Sequence, residues 1–132
     1  MKVLIADPDW RFAEKACLFL ESRAHLVVCE NRPSVVLEHA QSWQPDLVIL
    51  AGELAQRGLI EPLTAANPRP AILLTEHMAR FDRAWQVWQK GGDELLLKPV
   101  FKIDELHDAI VVARENAAAG LRRRPVSAAV SA

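Results

Sequence analysis

An acid, a hydroxyl and an ammonium each close a short apolar run in this chain. Lys2 to Ala6 leads into Asp7, Ala71 to Leu74 into Thr75, and Leu95 to Leu97 into Lys98. If these runs are strands of one parallel sheet, the three polar groups meet at its carboxyl end, where open α/β sheets bind ligands. Phosphoryl transfer there needs acids to hold a divalent cation and a carboxylate nucleophile. It also needs a hydroxyl and an ammonium to stabilise the transferred oxygens. The run Asp46-Leu47-Val48-Ile49-Leu50-Ala51 would bring the nucleophile from the middle of the sheet. That position holds Ala51, which has no oxygen to offer.

The elements that must position these residues follow from periodicity. Apolar runs begin near residues 2, 26, 47, 71 and 95, at intervals of 21 to 24. Between them lie stripes at helical spacing: Phe12, Ala16, Phe19, Leu20 and Arg23; Val36, Leu37, Ala40 and Trp43; Phe81, Ala84, Trp85 and Trp88; and Ile103, Leu106, Ile110, Ala113 and Ala117. A shorter helix between Gly58 and Asn67 tolerates Pro62 only in its first turn. Five strand–helix units of this pitch predict an α/β fold with a doubly wound parallel sheet, covered on both faces, in the order 2-1-3-4-5. In that order Asp7, Ala51, Thr75 and Lys98 gather at one end of the sheet. Pro33, Pro45, Pro68, Pro70 and Pro99 fall between elements, and Gly91-Gly92 stops the fourth helix. Asp9 is expected to cap the first helix.

At 132 residues the chain suits one domain, able to bury roughly 68% of its unfolded surface. Beyond Asn116 the composition turns to alanine and arginine. The reading is therefore a domain over 1–116, a last helix fraying near Gly120, and a disordered tail over 117–132. Setting aside the three positive charges of Arg122, Arg123 and Arg124, the chain's net −1 leaves residues 1–116 at −4, which argues against a nucleic-acid footprint. No leader and no apolar run near the roughly 20 residues of a membrane span are visible, so a cytoplasmic protein is expected. Cys17 and Cys29 read as buried free thiols, and His25, His39, His77 and His107 have no metal-ligand spacing. No Gly-x-Gly-x-x-Gly or Walker loop follows the first strand, which argues against a nucleotide-binding enzyme.

From Met1 to about Asn116 the chain resembles a response-regulator receiver domain, a flavodoxin-like (βα)5 module. The resemblance rests on Lys2-Val3-Leu4-Ile5-Ala6-Asp7-Pro8-Asp9, Pro45-Asp46-Leu47-Val48-Ile49-Leu50-Ala51, Leu73-Leu74-Thr75 and Gly91-Gly92-Asp93-Glu94-Leu95-Leu96-Leu97-Lys98-Pro99. It implies that Asp7 is the first acid, Thr75 the switch hydroxyl and Lys98 the phosphate lysine. It also implies a cis Lys98–Pro99 peptide.

Where the chain departs from the family, function is put in question. The phosphoacceptor is replaced by Ala51, the magnesium-binding second acid by Pro8, and the switch aromatic by Leu95. The loop from Ala51 to Gly58 is one residue shorter than the family's. Little remains to hold Mg2+, so no cofactor is expected. The reading is a phosphorylation-independent pseudo-receiver, a non-enzymatic protein-interaction module of bacterial two-component or phosphorelay signalling. The alternative is a phosphorylatable receiver using a substitute acid such as Glu53. With no acceptor carboxylate to meet, Lys98 is expected to turn to Asp7. Partner proteins are expected, including a second copy of the chain docked through the fourth helix, fifth strand and fifth helix. Receiver domains commonly dimerise through this region. In that reading the outward residues Arg80, Arg83, Val87 and Lys90 face Asp104 and Asp108, among other acids, of the partner.

Overall fold

The computed structural model describes residues 1–120. Its centre is a five-stranded parallel sheet in the order β2-β1-β3-β4-β5. The strands are β1 (Lys2–Ala6), β2 (Leu26–Cys29), β3 (Leu47–Ala51), β4 (Ala71–His77) and β5 (Glu94–Lys98). The helices are α1 (Trp10–Ser22), α2 (Pro33–Trp43), α3 (Ile60–Ala65), α4 (Phe81–Lys90) and α5 (Ile103–Ala118). Between β3 and α3 run a short helical turn, Gly52–Leu54, and a wider one, Ala55–Leu59, broken at Gly58 with φ +83°. Pro62 sits in the first turn of α3, as its missing N–H requires.

The strands are continuous apolar runs because both faces are covered. Val3, Ile5, Ile49 and Leu73 face one core with Phe12, Leu20, Leu106 and Ile110 from α1 and α5. Leu4, Val48, Leu50 and Leu74 face the other with Val36, Leu63 and Val87 from α2, α3 and α4. Each such fully buried side chain contributes about 1.5–3 kcal/mol.

Local chemistry fixes the ends. Asp9 caps α1 by accepting the Phe12 N–H at 3.3 Å. Pro33 opens α2, and Gln44, in the left-handed region, closes it. Gly92, at φ +116°, leaves no room for a side chain, since a Cβ would stand 2.6 Å from Leu74 Cδ1. Asp93 is fully buried and accepts from Ile72 N–H at 2.8 Å and from both Arg69 nitrogens at 2.9 and 3.0 Å. That cluster ties the start of β4 to the start of β5. The Lys98–Pro99 peptide is cis, as the resemblance implies, and so is Asn67–Pro68.

The structure corrects three expectations. Val87 is buried (1% exposed) while Phe81 (60%) and Trp85 (38%) face outward, so the apolar stripe of α4 runs through Ala84 and Val87. Cys29 is exposed on the edge strand β2, and Cys17 is half-buried against the α1–α5 core, so neither thiol is fully buried. β4 continues past Thr75 to His77, carrying Glu76 into the protein. The last helix, α5, runs to Ala118 and packs Ala117 against the core, in keeping with the expected stripe and fraying near Gly120. Residues 121–132, including Arg122, Arg123 and Arg124, lie outside the described residues.

Candidate functional site

The sheet order places β1 beside β3 and β3 beside β4, so the residues closing these strands are neighbours. Ala51 pairs in register with Thr75, and Ala6 with Leu50, which sets Asp7 next to Ala51. Lys98 closes β5 beyond them, opposite His77. All four predicted pocket residues are buried together: Asp7, Ala51, Thr75 and Lys98 are each less than a tenth exposed.

Their polar atoms satisfy one another. Lys98 Nζ donates to Asp7 Oδ2 at 2.9 Å and to Oδ1 at 3.2 Å, the contact expected from the sequence. Thr75 Oγ1 donates to Asp7 Oδ2 at 2.8 Å. The Asp9 N–H donates to Asp7 Oδ1 at 2.9 Å. A weaker arm runs from Lys98 to Asp9 Oδ2 at 3.4 Å, and the ammonium lies 5.0 Å from the centre of the Phe12 ring. Asp9 thus keeps its capping role and adds a second negative group beside Lys98. Burial pushes its carboxyl up, but the Phe12 N–H and Lys98 outweigh that and hold it below the ordinary value. The hydroxyl and ammonium that would grip phosphoryl oxygens are both turned onto Asp7. Pro8 is exposed and carries no ligand atom at the second-acid position.

Sequence reading missed a second ion pair at this end of the sheet. Glu76, 4% exposed, accepts from Arg83 Nε at Oε2 and from Arg83 Nη2 at Oε1 at 2.8 Å. Its own Oε1 also takes the His77 N–H at 2.9 Å. Burial raises the Glu76 carboxyl, while Arg83 first and the His77 N–H next pull it below the ordinary value. Glu76 Oε2 stands over the residue after Ala51, where a Cβ on Gly52 would collide with it. Arg83 is therefore an internal partner of β4, which corrects its assignment to the outward row. The signal in the sequence was the unusual acid directly after Thr75, followed seven residues later by an arginine at the start of a helix.

Of the remaining outward residues, Arg80, Lys90, Asp104 and Asp108 are exposed. Glu53 is also exposed, on the turn after β3, with its charge felt by Arg83. Among the described residues, no group of three or more His, Cys, Asp and Glu is placed to hold a metal, and no helix is long and apolar enough to cross a membrane.

Neither a scan against protein-family models nor a search of curated proteins finds a match to the sequence. Solved structures do match. NtrX from Brucella abortus superposes with a TM-score of 0.78 at 18% identity, over 90% of this chain and 27% of that one. A mutant form of RitR gives 0.74 at 20% identity, over 88% and 54%. The chain thus spans about a quarter and about half of these two proteins. The signal receiver domain of a modulated diguanylate cyclase from Desulfovibrio desulfuricans gives 0.64 at 23% identity, over 87% and 94%. A response regulator receiver domain protein from Clostridium thermocellum gives 0.67 at 20% identity, over 88% and 95%. With the sheet order, the helices on both faces and these superpositions in agreement, the chain has the flavodoxin-like fold of response-regulator receiver domains.

Proposed function

We propose that this chain is a phosphorylation-independent, receiver-type interaction module of bacterial two-component signalling, acting in the cytoplasm without enzymatic activity of its own. One observation carries the reading: with Ala51 at the acceptor position, both Lys98 and Thr75 are bonded to Asp7, so the pocket is closed on itself. A carboxylate with three donors at hand makes a poor magnesium ligand, since the cation would have to displace the ammonium. The reading is tested by incubating the protein with acetyl phosphate and Mg2+ and measuring its intact mass, which should not change. Glu53 as a substitute acceptor would have to leave the solvent to which it is exposed on the turn after β3.

In this reading the output is a protein contact at α4 and the edge strand β5. Phe81, Trp85, Trp88 and Leu95 line an apolar cleft of about 300 Å3 there, with Glu94 at its rim. Exposed aromatics grouped on one face mark interaction surfaces more than scattered apolar residues do. The proposed occupant is a second copy of the chain. A two-fold axis would set Arg80 and Lys90 of one copy towards Asp104 and Asp108 of the other, around that apolar centre. Light scattering at micromolar concentration should show a dimer that Trp85→Glu abolishes and that salt weakens only slightly, because the centre is apolar. A monomer at every concentration, or a dimer indifferent to Trp85→Glu, would remove the dimer from the account.

A further inference from the structure

On the face of the sheet covered by α1 and α5, residues of both helices line a cleft of about 320 Å3. That is within the size range of small-molecule sites, roughly 300–1,000 Å3. Its inner surface is apolar, formed by Phe19, Leu20 and Ile110, with the exposed Val111 also lining it. Its rim is basic. Arg23 and Arg114 both line it, with the imidazoles of His25 and His107.

The basic groups are crowded, and of them His107 has a carboxylate partner, Asp108 Oδ1 at 3.4 Å. Neither Arg23 nor Arg114 has an ion-pair partner among the described residues. Arg23 sits over Phe19, its guanidinium carbon 5.0 Å from the ring centre, and His107 meets the same ring edge-on at 6.3 Å. His25 Nδ1 is 2.9 Å from the Met1 amino group. Burial first, then the Met1 amino group, Arg114 and Arg23 in turn, press the His25 imidazole towards its neutral form. One carboxylate, that of Glu115, reaches the rim. Cations of this density over an apolar floor match a ligand with the opposite pattern, an apolar body ending in an anion. Guanidinium groups suit a carboxylate because their donors match its two oxygens.

We propose that the α1–α5 cleft is a binding site for an amphipathic organic anion, an aromatic or short acyl carboxylate. Its apolar part lies on Phe19, Leu20 and Ile110, and its carboxylate is held by Arg114 and Arg23. The site is independent of the Asp7 pocket, so it stands whether or not the chain is phosphorylated.

The probe for this site is 2-naphthoate, with neutral 2-naphthalenemethanol as its control, titrated into the full chain by calorimetry. The acid should bind saturably and the alcohol about tenfold or more weakly, as loss of a charge-assisted pair predicts. Arg114→Glu and Arg23→Gln change exposed side chains and should leave the circular dichroism spectrum intact. Each should weaken naphthoate by about tenfold while hardly affecting the alcohol. Absence of saturation into the millimolar range, equal binding of acid and alcohol, or naphthoate binding unchanged in both variants would overturn the proposal.

Discussion

Replacing Lys98 with methionine should destabilise the domain by about 3–5 kcal/mol, the usual cost of stranding one member of a buried ion pair. Methionine preserves most of the volume of the lysine stem, so little of the loss is a packing defect. What remains is Asp7, whose side chain has no exposure, with only the Thr75 hydroxyl and the Asp9 N–H as donors. Urea unfolding followed by tryptophan fluorescence reads the change as a lower midpoint. The double variant Asp7→Asn, Lys98→Met removes both charges and should recover most of the loss, giving a coupling energy well above about 1 kcal/mol. A Lys98→Met protein within about 1 kcal/mol of the parent would mean that the pair is not the constraint the geometry describes.

Arg83→Ala should have the second largest effect, about 2–4 kcal/mol, because it removes two of the donors that satisfy Glu76. The lower end is favoured by Arg83 itself, whose side chain is 18% exposed and screened by water. The pair also makes a pH signature. Glu76 has a lowered pKa in the folded protein, so its contribution is fully present above the ordinary glutamate value of 4.5. It is lost as the pH falls from there through the folded value. Urea midpoints measured from neutral pH downwards should therefore drop less steeply in Arg83→Ala than in the parent over that acidic range. An equal or steeper drop would show that Glu76 does not draw its stability from Arg83.

The sequence revealed the sheet because buried parallel strands must be apolar on both faces. Four runs ended in the residues that the structure brings together. Lys98 could be paired with Asp7 by elimination, since a buried ammonium needs a partner and Ala51 offers none. The face of α4 was read wrongly for a physical reason. Phe81, Trp85 and Val87 are all apolar, and the helical spacing and bulk of the aromatics favoured them as core. The internal demand of Glu76 turns Arg83 inward, Ala84 and Val87 cover β4, and the large rings are left at the surface. Glu76 itself was legible only as an oddity, because β4 could not be seen to extend past Thr75 while its next residue was charged. The basic rim of the α1–α5 cleft was invisible, since Arg23, His25, His107 and Arg114 come from separate segments and only folding assembles them.

The central claim is that the pocket at the carboxyl end of the sheet has no acceptor and is closed by its own Lys98 and Thr75. The most direct test is the intact mass of the full chain after incubation with acetyl phosphate and excess Mg2+ at neutral pH, before and after hydroxylamine, which cleaves acyl phosphates. The unmodified mass is expected throughout. A hydroxylamine-labile phosphoryl adduct, mapped to Glu53 or any other carboxylate, would contradict it.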